Sequence, residues 1–558
     1  MNKILIHSQN TALSDNDCFD ISEQIVLFEQ NSEIDDIDKY ISNSLLNEVI
    51  RQKLLKADII FIKLGLSDNY LEYYGLRIAY HIRLSNFLEE KSLLPIVIIG
   101  EESFQFIGIT AELPEILFTD GIYLMRDTKK DLGKMTQRLE SKQIKSINNT
   151  TSFIEKIKVL PPANYLSNHS VDNEWSILNW ANILELSEVS EIDKVSEDIT
   201  AMLYYKYLAT KYEYSKNSII KDSNSYILPQ LKSKILYIDD EWDKGWKTIL
   251  NKILNRNDSS DFKTMELPYK KLEYLDIENN FTKILESFDP DLVILDLRLC
   301  DNDFDKNTKT EELSGLKILN LIKNKNPGIQ VAIFSATNKI WNLLELQNKG
   351  ADGFLFKFPS ESSTYSDVII NFKSSIEFLQ KKVFIKTLIE KCYNIEKLLV
   401  EAKNNDYRDY EYNDFILELE AKNKINIFNL ANINLEIQNT IDIAFLSFFN
   451  FIETFKNYFY KHEPKTIGFD AVDFVCYSSE RERVYKNQSI KYTWTSCIAF
   501  LFIEYFEILE MNNPNIVLLF KLKEKRDNFI HKEITHFSST ELKQIVKLSE
   551  LICSDLKN

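Results

Sequence analysis

KILYIDDE, residues 234–241, runs four apolar residues into three consecutive acids. A short apolar run with such an end reads as a β-strand buried on both faces whose C-terminal tip is polar. The pattern recurs in DLVILDLRL, 291–299, where Asp296 stands near the C-terminal end and a helical pattern opens at Ser314-Gly315 (SGLKILNLIKNK). VAIFSATNK, 331–339, ends its apolar run at Ser335, and GADGFLFKFP, 350–359, reaches Lys357 ahead of Pro359. Strands alternating with helical segments predict a parallel sheet covered by helices on both faces, where sites form beyond the carboxyl ends of the strands. All of these polar residues fall on that one edge.

Clustered carboxylates suit a hard divalent cation such as Mg²⁺, which takes oxygen ligands. A hydroxyl on Ser335 and an ammonium on Lys357 suit the oxygens of a phosphoryl group, and Asp296 is the natural nucleophile. The set of acidic pair, central Asp, Ser335-Ala336 step and late Lys resembles the receiver domain of two-component response regulators, over about 233–380. The resemblance implies that Asp239 and Asp240 help bind Mg²⁺, that Asp296 is the phosphoacceptor and metal ligand, and that the carbonyl of Arg298 completes the metal shell. It implies further that Phe354 occupies the aromatic switch position, without a hydroxyl, and that a histidine kinase or phosphotransfer protein is the donor. Two features depart from the family. The stretch CDNDFDKNTKTEEL, 300–313, is long, and Phe358 separates Lys357 from Pro359.

The same series of segments recurs at the N-terminus. KILIHSQ (3–9), ADIIFIKLGL (57–66), YGLRIAYHIRL (74–84), PIVIIGEE (95–102) and TDGIYLM (119–125) follow the order of their later counterparts. In this alignment Ser8 and Gln9 or their neighbours replace the acid pair, Lys63 replaces Asp296, Gly100 replaces Ser335 and Met125 replaces Lys357. A cation in place of the acceptor carboxylate excludes Mg²⁺ and phosphorylation, so residues 1–130 resemble a degenerate pseudo-receiver used for docking or dimerisation. An unrelated α/β domain would give similar segments, since buried parallel strands are alike in composition.

The 558 residues suggest three or four units at roughly 150 residues per domain. The net charge of −17 argues against broad binding to nucleic acid or anionic membrane; residues 381–558 carry about −2 of it and the first 380 the other −15. The six cysteines are scattered without metal-ligand spacing, which suits free thiols in a reducing cytoplasm. The apolar stretches IDIAFLSFFNF and CIAFLFIEYFEIL are short and carry acids, so core helices are expected and no membrane spans. Residues 131–232 read as a helical connecting region. In it His169, with Glu174 nearby, is either a phosphotransfer histidine or an ordinary residue of a helix start.

From 381 onward the apolar spacing is helical, strongest at 412–420, 439–460, 493–511 and 539–556. Near the end, KEKRDNFIH places Arg526, Asp527 and His531 in an Arg-x4-His step. This resembles the HEPN family, many of whose members are metal-independent ribonucleases acting as dimers. The resemblance implies His531 as general acid or base on RNA, Arg526 as charge stabiliser, Asp527 beside it, and a homodimer. The other reading of the same helices is a non-enzymatic module that binds a partner, and an Arg526 committed to unrelated acids would favour it. The expected architecture is multidomain α/β plus all-α. It comprises two flavodoxin-like doubly wound parallel-sheet receiver domains, one of them degenerate, and a C-terminal helical bundle.

Overall fold

The computed structural model describes residues 1–9, 21–28, 34, 36–67, 71–126, 128–141, 150–160, 168–186, 189–213, 223–229, 232–256, 261–304, 308–336, 346–360, 363–404, 410–462, 474–477, 482–485, 514–531, 536–554 and 556. Ile- and Val-rich segments build two separate five-stranded sheets. The first joins β1 (Lys3–His7), β2 (Glu23–Val26), β3 (Ile59–Lys63), β4 (Ile96–Ile99) and β5 (Ile122–Met125) in the order β2-β1-β3-β4-β5, every pair parallel. The second joins β6 (Ile235–Ile238), β7 (Phe262–Thr264), β8 (Leu292–Leu295), β9 (Gln330–Ser335) and β10 (Gly353–Phe356) in the order β7-β6-β8-β9-β10, again all parallel. Counted within each sheet, both orders are 2-1-3-4-5, the doubly wound order of flavodoxin.

Helices cover both faces of each sheet, which is why the central strands show no polar alternation: β1, β3, β4, β6 and β8 are buried at every residue. The two sheets share a backbone detail. A Cβ on Gly75 would lie 2.2 Å from the carbonyl oxygen of Lys63, and one on Gly315 would lie 2.3 Å from that of Asp296. Each glycine amide also donates to the residue after that strand end, Gly75 to Leu64 and Gly315 to Leu297, both at 3.0 Å. In both sheets the helix after the third strand therefore packs directly on the strand's carboxyl end, and only a glycine permits it.

The connecting region is divided between the two cores. Phe153 and Ile157, of the helix Thr150–Lys156 and its exit, pack with the first sheet, as does Leu203. The helices Asn168–Ile183 and Ser190–Thr200 bring Trp180, Ile177, Ile192 and Ile199 into the core of the second. Gly245, at φ +123°, marks the contact: a Cβ there would stand 2.8 Å from Ile192 Cγ1 and 3.2 Å from Ile177 Cγ2.

The C-terminal region is helical, as its apolar spacing predicts. The helices Phe384–Lys403, Tyr410–Ala431, Asn439–His462, Pro514–His531 and Ser539–Ser554 enclose a core rich in phenylalanine, including Phe445, Phe448, Phe451 and Phe455. The stretch 441–451 lies within one of these helices, whereas 493–511 falls outside the described residues. The expectation of helices alone needs one correction: β11 (Phe474–Tyr477) and β12 (Glu482–Tyr485) pair as an antiparallel hairpin. FVCY and ERVY are rich in the β-branched and aromatic residues that suit a pleated surface. Among the described residues no helix is long and apolar enough to cross a membrane.

Gly75→Ala and Gly315→Ala should each cost about 1–3 kcal/mol of stability, because the new methyl meets backbone that cannot rotate away. Gly108→Ala, in the helix Phe104–Thr110 with nothing within 4 Å of the added atom, should instead gain about 0.5–1 kcal/mol. Urea unfolding of the three variants measures both signs.

Candidate functional site: a carboxylate cluster at the sheet edge

Asp239 and Asp240 follow β6, Asp296 follows β8, and Lys357 follows β10, so three strand ends deliver four charged side chains to one edge. Carboxylate oxygens of Asp239, Asp240 and Asp296 all lie within 4.8 Å of one another. Lys357, 1% exposed, donates to Asp239 Oδ2 at 2.7 Å and to Asp296 Oδ2 at 3.3 Å. Asp296 Oδ1 accepts from the amides of Leu297 at 2.5 Å and Arg298 at 3.4 Å, while Asp239 Oδ1 accepts from the amide of Glu241 at 2.9 Å.

Burial and crowding dominate the electrostatics. Desolvation, reinforced by Asp239, Glu241 and Asp296, pushes Asp240 up to about 9. Desolvation also raises Asp296, to about 6, against the pull of Lys357 and with the push of Asp239. Burial alone would lower Lys357, yet Asp239 and Asp296 hold it above its ordinary value. Among the described residues, the buried ammonium of Lys357 faces three clustered carboxylates. The donor set fits a hard divalent cation, all of its side-chain ligands being carboxylate oxygens.

The remaining residues of the expected site take definite places. Ser335 closes β9 half-buried, and its carbonyl accepts from the amide of Lys357 at 2.9 Å. Phe354, half-buried on β10, packs on the cluster that holds Leu346 and Ile333. The Arg298 guanidinium stacks over Phe304, 5.8 Å from its ring centre.

The long stretch after Asp296 is pinned by a residue to which its composition gives no pointer. The buried carboxylate of Asp303 accepts from the amides of Leu299 at 2.8 Å, Cys300 at 3.2 Å and Ser314 at 3.0 Å, and from the Ser314 hydroxyl. Glu241, the third acid after β6, is turned aside to Lys244 at 3.0 Å and to Asn173 of the connecting helix. Glu174 is likewise bound to Lys244, at 2.6 Å. The side chain of His169 lies outside what the structure describes.

At the same edge of the first sheet the strand register narrows one equivalence and revises another. Ile4 pairs with Ile60 as Leu236 pairs with Val293, so His7, rather than Ser8, stands where Asp239 does. Ile99 pairs with Met125 as Phe334 pairs with Leu355, so Met125 corresponds to Leu355; the counterpart of Lys357 is residue 127, outside the described residues. Strands buried on both faces have no polar alternation to fix a sequence alignment, and a one-residue slip is invisible. Lys63 and Gly100 keep the places of Asp296 and Ser335. His7 is buried, its Nε2 3.0 Å from Gln24 Oε1. An imidazole and a buried ammonium thus replace two carboxylates, and the divalent site is lost.

In the C-terminal region Arg526, Asp527 and His531 share the helix Pro514–His531. Arg526 donates to Glu453 Oε1 and to Asp527 Oδ1, each at 2.9 Å, and lies over the Phe449 ring. Lys523 is bound to Asp527 at 2.6 Å and Lys525 to Glu541 at 2.6 Å. The exposed His531 ends the helix; five residues from Arg526, it points to a different side.

Residues 12–125 match the family model of the inactive receiver domain, iREC. Among solved structures, the receiver domain of NtrX from Brucella abortus is similar at 22% identity over 26% of this chain and 98% of that one, with a TM-score of 0.18. A longer NtrX structure from Brucella abortus matches at 17% identity over 36% of this chain and 40% of that one, with a TM-score of 0.19. No curated protein matches. The first sheet is thus similar to a receiver domain of the inactive kind, and it lacks the acids of the second sheet's edge.

Because Asp296 and Asp240 are raised, the metal-free protein keeps their full contribution to stability only below the ordinary carboxylate range. It loses that contribution as pH rises through about 6 and about 9. Asp240→Asn should therefore raise the metal-free Tm at pH 8 by ~2–4 °C, corresponding to about 1 kcal/mol, while removing Mg²⁺ affinity. Thermal scans at pH 5 and 8 and a Mg²⁺ titration check both outcomes.

Proposed function

We propose that the second sheet is a phosphoacceptor receiver domain whose Asp296 takes a phosphoryl group from a histidine kinase or phosphotransfer protein of the cytoplasm. The observation that carries this reading is the convergence of Asp239, Asp240, Asp296 and Lys357 on one sheet edge, with Lys357 hydrogen-bonded to Asp239 and Asp296. In the reaction an Asp296 oxygen bonds to phosphorus, the bond from phosphorus to the donor breaks, and the donor leaves with the electron pair. Lys357 and the Ser335 hydroxyl hold phosphoryl oxygens, and the amides of Leu297 and Arg298 orient the attacking carboxylate. Mg²⁺, held by Asp239, Asp240, Asp296 and the Arg298 carbonyl, supplies charge neutralisation when bound. Phe354 is the packing switch.

The inactive first domain then serves docking or dimerisation, and the helical C-terminus is the output. Two outputs compete. In one, a homodimer cleaves RNA with Arg526, Asp527 and His531. In the other, the bundle binds a partner without catalysis. The pairing of Arg526 with Glu453 and of Lys523 and Lys525 with acids favours the second, since it leaves little uncompensated positive charge to attract phosphates.

Incubation with Mg²⁺ and acetyl phosphate should add one phosphoryl group by intact mass, lost in Asp296→Asn and reduced at least about tenfold in rate in Lys357→Ala. An unmodified wild-type chain would reject the receiver reading. Labelled RNA incubated with the phosphorylated protein should stay intact. Cleavage that disappears in His531→Ala would establish the ribonuclease output instead.

A further inference from the structure

We infer that the connecting helices are a readout strut. They carry the state of the carboxylate site to the inactive N-terminal domain, while the helical bundle is anchored away from that site. This rests on the reading that the site takes Mg²⁺ and a phosphoryl group.

The strut touches the site at both of its ends. Trp180, fully buried on the helix Asn168–Ile183, donates from Nε1 to the backbone carbonyl of Lys357 at 3.1 Å. Its ring meets Trp246 edge-on at 5.2 Å and Phe334 at 6.0 Å, and the Lys357 ammonium lies 5.4 and 5.0 Å from those same two rings. Two turns earlier on the same face of that helix, Asn173 accepts from Trp246 Nε1 at 2.8 Å and donates to Glu241, whose amide holds Asp239.

From there the contacts run to the first sheet. Glu174 accepts from the Tyr205 hydroxyl at 3.2 Å. Two residues before Tyr205, the amide of Leu203 donates to Asp38 Oδ2 at 3.2 Å; one residue after it, Lys206 contacts His81 Nδ1 at 3.1 Å and donates to Ser42 at 3.0 Å. Asp38 in turn binds Arg77 at 2.6 Å and His81 at 3.0 Å, tying together the helices Ile37–Leu46 and Tyr74–Arg83. Asp38 and His81 are buried, so this joint is part of the domain's interior and no incidental surface contact.

The bundle is attached elsewhere. A Cβ on Gly328 would lie 2.6 Å from the amide of Lys386, Asn326 donates to the Lys386 carbonyl at 3.2 Å, and the Lys386 ammonium binds Asp289 at 2.8 Å and Asp291 at 3.3 Å. Asp291 precedes β8 and Asp296 follows it, so this weld lies at the opposite end of the strand, roughly 16 Å from the acceptor.

A reason to move is built in. Lys357 now spends its hydrogen bonds on Asp239 and Asp296, the groups a divalent cation would engage, and a phosphoryl group offers its ammonium new acceptors. Lys357 shifts while its carbonyl stays tied to Trp180, and close-packed rings pass on a discrete displacement in place of absorbing it.

Hydrogen exchange of the full chain, with Mg²⁺ and beryllofluoride as the acyl-phosphate mimic, tests the strut, and tryptophan fluorescence reports binding. Exchange in 168–183 and 203–213 should change by about fivefold or more and extend into 37–46 and 74–83, with 384–403 unchanged. In Tyr205→Phe and, separately, Lys206→Met, binding should persist while the response stops before residues 37–46. Binding with no change in the strut, or with the change concentrated in 384–403, would overturn the inference and leave the receiver reading standing. Absence of binding would remove both.

Discussion

Lys357 and the carboxylates around it set the terms for the rest of the second sheet. Three acids brought out of water at one sheet edge repel one another, and the buried ammonium of Lys357 pairs with Asp239 at 2.7 Å and Asp296 at 3.3 Å. Such an arrangement persists only where the surrounding structure over-determines it. Here the rings of Trp246 and Phe334 flank the ammonium, and Trp180 fixes the Lys357 carbonyl. The crowding of acids makes the edge receptive to a cation and, together with burial, holds Asp240 and Asp296 above the ordinary carboxylate range.

The two sheets separate architecture from chemistry. Strand order, the register of the third and fourth strands, and the glycine that lets a helix sit on the third strand's end are common to both. What differs is a few side chains at the same edge, with His7 for Asp239 and Lys63 for Asp296. The fold needs glycine at 75 and 315 because a backbone carbonyl occupies the space of a Cβ. It is indifferent to whether the neighbouring side chain is an acid or a base. A sheet of this order can therefore lack the acids and keep its shape, which agrees with the inactive-receiver family model matched over residues 12–125.

The connecting region joins residues of its helices to the cores of both sheets, and Gly245 exists at φ +123° where those helices press closest. Glu174 and Asn173, on the same helix as His169, are committed to Lys244, Tyr205, Trp246 and Glu241. In the bundle, Arg526 is held between Glu453, Asp527 and the Phe449 face. A short Arg-x4-His step states a composition, and only the facing helix says whether the arginine is available.

Sequence alone determined the parallel sheets and the acid edge, because strands buried on both faces leave unbroken apolar runs and the first polar residue after each run marks a strand end. It also exposed the duplicated order of segments and the loss of acids in the first copy. Tertiary structure alone decided the register that puts His7 in the place equivalent to Asp239, since apolar runs without alternation slide past one another unnoticed. It decided the binding of the loop after Asp296 by Asp303 and the pairing of Arg526 with Glu453 across 73 positions of sequence. It decided, too, that the connecting helices belong to the site. Their contacts to it join residues 68 to 177 positions apart, and no local pattern encodes a contact made at that distance.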